Sequence, residues 1–258
     1  MRKIFLFGLC FFTAVILWGC STSSTGNPST GSLRVQLTDA PGYFEKVNIT
    51  FSEITANLKT GDENWIVINN QPQTLDLLTL SNGVTSLLGE KQLDPGQYGQ
   101  IRLKITKAEV VVNGTVYSLD VPSGATSGLK LGSGFTIEPG ITTELIVDFD
   151  AARSIHTMGQ KQEYKLDPLL RLIAKAQSGA VSGKVVNYQN APVAYAIAGA
   201  DTVASTIVKE DSGNFLLGFL PAGSYTVAVA DTLNKKFTKT DVSVTIGNTT
   251  NVGDITLR

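Results

Sequence analysis

A single histidine, His156, and two cysteines, Cys10 and Cys20, set narrow limits on the chemistry open to this chain of 258 residues. A zinc site built on imidazoles needs several histidines, and a Ser-His-Asp relay would have to use His156 alone. Around it the sequence reads Asp148-Phe149-Asp150-Ala151-Ala152-Arg153-Ser154-Ile155-His156, without the Gly-x-Ser-x-Gly elbow that exposes a serine nucleophile. His156 therefore reads as an exposed or turn histidine near a strand end. Asp148 and Asp150 alternate with Phe149, so a regular strand places both on one face, in line with Glu144. Such a row offers oxygens to Ca²⁺, and a solvent-facing strand edge accounts for it equally well. A cap on the turn Ala151 to Ile155 ranks above either. Glu210-Asp211-Ser212-Gly213-Asn214 also clusters oxygens, but it is shorter than an EF-hand loop and lacks the distant bidentate glutamate, so it reads as a hairpin turn. No glycine-rich phosphate loop is present, and nothing fixes two acids at the separation a glycosidase needs. The sequence assigns no catalytic residue, no metal site and no cofactor.

Rings that can stack on sugars include Tyr43, Phe44, Trp65 and Tyr188. Trp65, followed by Ile66-Val67-Ile68, fits a core pattern. Tyr43 and Phe44 come after Pro41-Gly42 in a predicted loop and are the candidate ligand-binding residues. A formal net charge of −1 without basic clusters removes the electrostatic footprint of a nucleic-acid binder.

The strongest chemical signal lies at the start. Met1-Arg2-Lys3 precedes an apolar run from Ile4 to Leu17, and Trp18-Gly19-Cys20 leads into a Ser/Thr-rich tract. The run is too short and too abruptly ended for a comfortable span of about 20 residues, so residues 1–19 read as a signal peptide. Gly19-Cys20 resembles the end of the bacterial lipobox, with bulky Trp18 where a small residue is usual. The resemblance implies that Cys20 carries lipid and anchors the chain, because two or three acyl chains hold a protein stably in a membrane. Once residues 1–19 are removed Cys20 is the only cysteine, so no disulfide framework exists and burial must stabilise the fold.

The elements that would position these groups are strands. The tether, residues 20–32, has nothing to bury. Period-two alternation then follows in Leu33, Val35, Leu37; Val47, Ile49, Phe51; Ile101, Leu103, Ile105; and Leu145, Val147, Phe149. Val112-Asn113-Gly114-Thr115 marks a hairpin. Leu75, Leu78, Val84, Leu87 and Leu88 lie closer to helical spacing and predict a short helix near Ser81 to Leu88. A boundary near Ala176 to Gly179 separates a first domain, 33–176, from a second, 179–258, with six predicted strands. Both halves contain Leu-x-x-Gly-x-Tyr ahead of a strand, at Leu93 to Tyr98 and Leu220 to Tyr225. That pattern predicts a tyrosine corner in each. The fold class is therefore all-β, with two consecutive Greek-key β-sandwich domains, the first carrying a short helix.

Two resemblances sharpen this. Gly179-x-Val181-x-Gly183-x-Val185, Ala191-Pro192-Val193, Asp211-Ser212-Gly213-Asn214-Phe215 and Leu220-Pro221-Ala222-Gly223-Ser224-Tyr225 resemble the carboxypeptidase regulatory-like domain, a transthyretin-like sandwich. The resemblance implies a non-catalytic accessory domain of a carbohydrate-binding-like fold. Val35-Gln36-Leu37-Thr38-Asp39-Ala40-Pro41-Gly42, Leu93-Asp94-Pro95-Gly96-Gln97-Tyr98 and Asp148-Phe149-Asp150-Ala151 resemble a domain-of-unknown-function family of exported bacterial lipoproteins. With the lipid cysteine they imply a non-catalytic surface binding or structural module of the cell envelope, whose partners are membrane lipid and a glycan or surface protein; Ser21 after Cys20 is compatible with outer-membrane sorting if the cell is diderm. The competing class is an envelope hydrolase using carboxylate or metal chemistry in the first domain.

Overall fold

The computed structural model describes residues 29–40, 44–59, 64–132, 134–158, 163–186 and 188–258. The predicted signal peptide, Cys20 and Tyr43 lie outside them. Among the described residues no helix is long and apolar enough to cross a membrane.

In the first domain alternation sends one side of each strand inward. Leu33, Val35 and Leu37 of Gly31–Ala40, Val47, Ile49 and Phe51 of Lys46–Leu58, Ile101, Leu103 and Ile105 of Gly96–Val112, and Leu145, Val147 and Phe149 of Thr142–Asp150 are all buried in one core. Burial of each such side chain contributes about 1.5–3 kcal/mol. Gly31–Ala40 runs parallel to Thr142–Asp150 and antiparallel to Ser86–Leu93, and Leu170–Ala174 closes the other side of Thr142–Asp150. The second sheet is built on Lys46–Leu58 paired with Gly96–Val112, extended by Trp65–Asn69 and by Thr115–Asp120, Glu163–Leu166 and Ile155–Met158. Register shifts at Thr50/Phe51 and Ala56/Leu58 are bulges, which bend strands this long around the core. Asn113 and Gly114, at φ 49° and 72°, make the predicted hairpin turn.

The predicted helix near Ser81 to Leu88 is displaced. A 3₁₀ turn forms at Leu77–Leu80, with the Asp76 carboxylate accepting the Leu78 N–H at 3.3 Å. Asn82 and Gly83, at φ 57° and 78°, end it, and Ser86–Leu93 is a strand. Leu87 is exposed and Leu88 buried, and the stretch pairs antiparallel with Gly31–Ala40 across a register shift at Val35/Gln36, which interrupts its alternation.

The second domain stacks Asn214–Pro221, Ser178–Val186 and Thr249–Thr256 against Asp201–Ile207, Val193–Ala198, Gly223–Ala230 and Lys236–Val244, around Val181, Phe215, Leu217, Val227 and Ile255. The turn after Glu210 is not a hairpin, because the strands it joins belong to different sheets. Buried Val208 carries the chain across the core, and a Cβ on Gly213, at φ 74°, would lie 2.3 Å from the Val185 carbonyl oxygen. Both predicted tyrosine corners are present: Tyr98 donates to the Asp94 carbonyl at 3.0 Å and Tyr225 to the Pro221 carbonyl at 2.8 Å.

The two sandwiches meet at the turn Ser81–Val84. Asn82 reaches into the second domain with three hydrogen bonds. Its N–H donates to Thr206 Oγ1 at 3.1 Å, its Nδ2 donates to the Ile207 carbonyl at 2.9 Å, and its Oδ1 accepts the Leu216 N–H at 3.0 Å. From the first domain, the buried Thr38 hydroxyl faces the Leu80 and Val84 carbonyls at 2.9 Å each, which fixes the base of the same turn.

Candidate functional site

Charged groups collect at this seam because Gly31–Ala40 and Thr142–Asp150 end there side by side, with Thr38 opposite Asp148 and Ala40 opposite Asp150. Thr142–Asp150 is a central strand, and Asp148 and Asp150 are only 8% and 6% exposed. They do not lie on the solvent-facing edge that the sequence pattern allowed. Asp150 caps the helix Ala151–Ser154, accepting the Arg153 N–H at 2.9 Å and Arg153 Nε at 2.6 Å. That is the capping role ranked first for it. Asp148 instead takes Arg171 Nε at 2.5 Å from the adjacent strand, so the arginine inside the apolar run Leu169–Ala174 is its counter-charge. Glu144 pairs with Arg34 and Lys175, away from both aspartates.

Asp39 is the most confined acid. Its Oδ1 accepts the Ala151 N–H at 3.1 Å, while Oδ2 has no partner among the described residues. Burial drives its pKa well above the ordinary carboxylate range, the Ala151 N–H opposes this, and Asp148, Asp150 and Asp76 raise it further. Burial likewise raises Asp148, outweighing the attraction of Arg171. Asp39, Asp148, Arg171 and Asn82 border an inner cavity of about 20 Å³ between the domains, room for about one water molecule. Outside it lies a cleft of about 270 Å³, walled by Asp148, Asp150, Arg153 and Arg171 from the first domain and by Asp201 and Val203 from the second. Among the described residues no three His, Cys, Asp or Glu side chains could jointly hold a metal ion.

The other candidates stand apart. Phe44 is half-buried against the first core and meets Tyr164 edge-on at 6.4 Å, so much of its ring is occupied by packing. His156 is exposed on Ile155–Met158, opposite Lys165. Trp65 is not in the core as predicted. It lies half-buried with the Arg102 guanidinium 4.4 Å and the Lys130 ammonium 5.7 Å from its ring centre. Tyr188 packs on the second core and donates to the Glu210 carbonyl. Sequence reasoning missed Asp39, Asn82, Arg171 and Asp201 as seam residues. The available signals were Asp39 inside the quoted Leu-Thr-Asp-Ala-Pro-Gly opening and an arginine interrupting Leu169–Ala174.

Two antiparallel-rich sandwiches locked at one seam define an all-β, two-domain architecture, with no helical layer among the described residues. The chain belongs to the family described as Domain of unknown function (DUF4382), whose model matches residues 30–168, more than half of the 258. Residues 180–258 match the Carboxypeptidase regulatory-like domain. No curated protein matches. Among solved structures, the Bacillus anthracis TIE protein is 14% identical with a TM-score of 0.25, covering 88% of this chain and 34% of that one. This chain thus spans about a third of that protein. GBS52, the minor pilin of Streptococcus agalactiae, is 10% identical with a TM-score of 0.21, covering 87% and 94%. A putative adhesin from Bacteroides ovatus is 11% identical with a TM-score of 0.21, covering 84% and 82%.

Proposed function

We propose that this chain is an exported bacterial envelope protein, anchored through lipid on Cys20, whose two sandwiches serve together as a non-catalytic surface binding or structural module. The observation that carries this is the Asn82 seam, where one residue makes three hydrogen bonds across the domain boundary. Two sandwiches held in fixed relation at the end of a polar tether suit the presentation of a surface to a glycan or surface protein. The two aspartates that the sequence offered to a hydrolase are already engaged, Asp148 by Arg171 and Asp150 by Arg153 and a helix N-terminus. Such engagement suits a structural part better than proton transfer.

Cys20→Ala is expected to abolish labelled-palmitate incorporation and to leave unprocessed precursor; equal labelling would remove the lipid anchor from the proposal. The mature chain is then screened on a glycan array, in a surface pull-down and against hydrolase substrates. Capture without turnover is the expected result. Turnover that disappears in Asp148→Asn or Asp150→Asn would replace the binding module with the hydrolase.

A further inference from the structure

The cleft at the seam presents both signs of charge with bonding capacity left over. Arg153 engages Asp150 through its backbone N–H and Nε and attracts Asp148 at longer range, and its terminal guanidinium nitrogens make no hydrogen bond among the described residues. Arg171 engages Asp148 through Nε and reaches the Phe219 carbonyl only at 3.5 Å through Nη1. Across the seam Asp201 is exposed, and its carboxylate has no hydrogen bond or ion pair among the described residues. Leu169, 44% exposed, and half-buried Val203 add aliphatic surface from the two domains.

These groups select by charge. A simple anion meets the guanidinium tips but also three aspartates, and a simple cation meets Asp201 but also two arginines. A ligand with both charges on neighbouring atoms satisfies each without the opposing repulsion. We propose that the cleft binds an α-amino-acid centre, ammonium and carboxylate on one carbon, bearing an aliphatic side chain. The carboxylate takes N–H donors from Arg153 and Arg171, whose planar forks match its two oxygens. The ammonium pairs with Asp201, and the side chain covers Leu169 and Val203. Because the two charge partners come from different domains, binding depends on the seam that Asn82 holds. This site rests on the reading of the chain as a binding module and adds a small ligand to it. A free amino acid and a zwitterionic centre on a cell-wall stem peptide share the chemistry.

The test is a titration of the mature chain, followed by NMR, with L-leucine, glycine, 4-methylpentanoate and isopentylamine. Leucine is expected to give saturable shifts at seam residues, with glycine about tenfold weaker and both singly charged analogues weaker still. Arg153→Gln and Asp201→Asn change exposed side chains, and each is expected to weaken leucine binding by about tenfold or more with the spectrum otherwise folded. Arg153→Lys, which keeps charge but loses the fork, is expected to fall between. A stem peptide carrying a diaminopimelate centre, titrated in parallel, shows which source binds more tightly. Absence of saturation by both leucine and the stem peptide, equal binding of a singly charged analogue, or unchanged affinity in both Arg153→Gln and Asp201→Asn would overturn the site. Capture of a glycan or surface protein together with those results would sink the cleft alone. Leucine binding without any such capture would instead remove the larger partner.

Discussion

Asp39 contributes to the pH response of the seam with the same sign as Asp148, whose pKa burial also raises. The Asp39 carboxyl is 4% exposed, and burial first, then the nearby Asp148, Asp150 and Asp76, raise its pKa well above the usual value. In the unfolded chain an aspartate releases its proton near pH 4, whereas the folded chain holds this one to higher pH. The native state therefore binds the extra proton. The stability this contributes is fully present below the unfolded pKa and is lost as pH rises through the folded pKa. Asp39→Asn keeps an acceptor for the Ala151 N–H and removes the titration. Urea melts at several pH values are expected to show a shallower decline above about pH 4 and a gain of roughly 1 kcal/mol at neutral pH. A variant that declines more steeply than wild type would contradict the assignment. Glu144 has the opposite sign: hydrogen bonds from Lys175 and then Arg34 lower its pKa, so its contribution is present above the unfolded value and lost on acidification. The difference between variant and wild type, not the raw curve, isolates Asp39.

At the scale of elements, the tyrosine corners give the sharpest test of packing. Tyr98 is fully buried and stacks on Phe135 at 5.4 Å, and Tyr225 is 6% exposed, so each ring is packed while its hydroxyl makes a part-buried bond to the carbonyl of an exposed residue. Tyr98→Phe and Tyr225→Phe should each lower stability by about 1–2 kcal/mol, read as a lower denaturant midpoint with an unchanged slope. No loss in either would mean the hydroxyl bond is redundant. These corners were legible because Leu-x-x-Gly-x-Tyr is local, and so were the alternating strands and the Asn113-Gly114 turn. Asp201–Ile207 was not, since Thr202, Val203, Ala204 and Ser205 are too small and mixed to show a clear period. The burial of Asp148 and Asp150 was hidden for another reason: their strand is central only because Gly31–Ala40 and Leu170–Ala174 arrive on either side. Trp65 was misplaced likewise, since the cations over its ring come from Gly96–Val112 and Leu129–Leu131. The cleft needs residues from both domains, and no local window contains its pairing.

For the whole molecule the question is whether two separate cores behave as one body. The cores share no buried residue, so their coupling depends on the seam. Asn82 is suited to it twice over: asparagine tolerates the left-handed backbone at φ 57°, and its amide offers both a donor and an acceptor to strands of different sheets. Next to it, a Cβ on Gly83, at φ 78°, would lie 2.8 Å from Leu216 Cδ2, so the second domain sits close against the turn. Asn82→Ala removes the two side-chain bonds and strains the turn, leaving the Ile207 carbonyl and Leu216 N–H to find water. Heating the mature wild-type chain is expected to give one cooperative transition, whereas the variant separates into two as the domains unfold independently. Small-angle scattering should show a broader distribution of interatomic distances at unchanged strand content. Asn113→Ala is the matched control: it also replaces a left-handed asparagine, at φ 49°, but in a hairpin away from the seam. It should lower stability while leaving the single transition intact. If Asn82→Ala keeps one transition and wild-type scattering, the domains are coupled by other contacts and the two side-chain hydrogen bonds of Asn82 do not hold the seam.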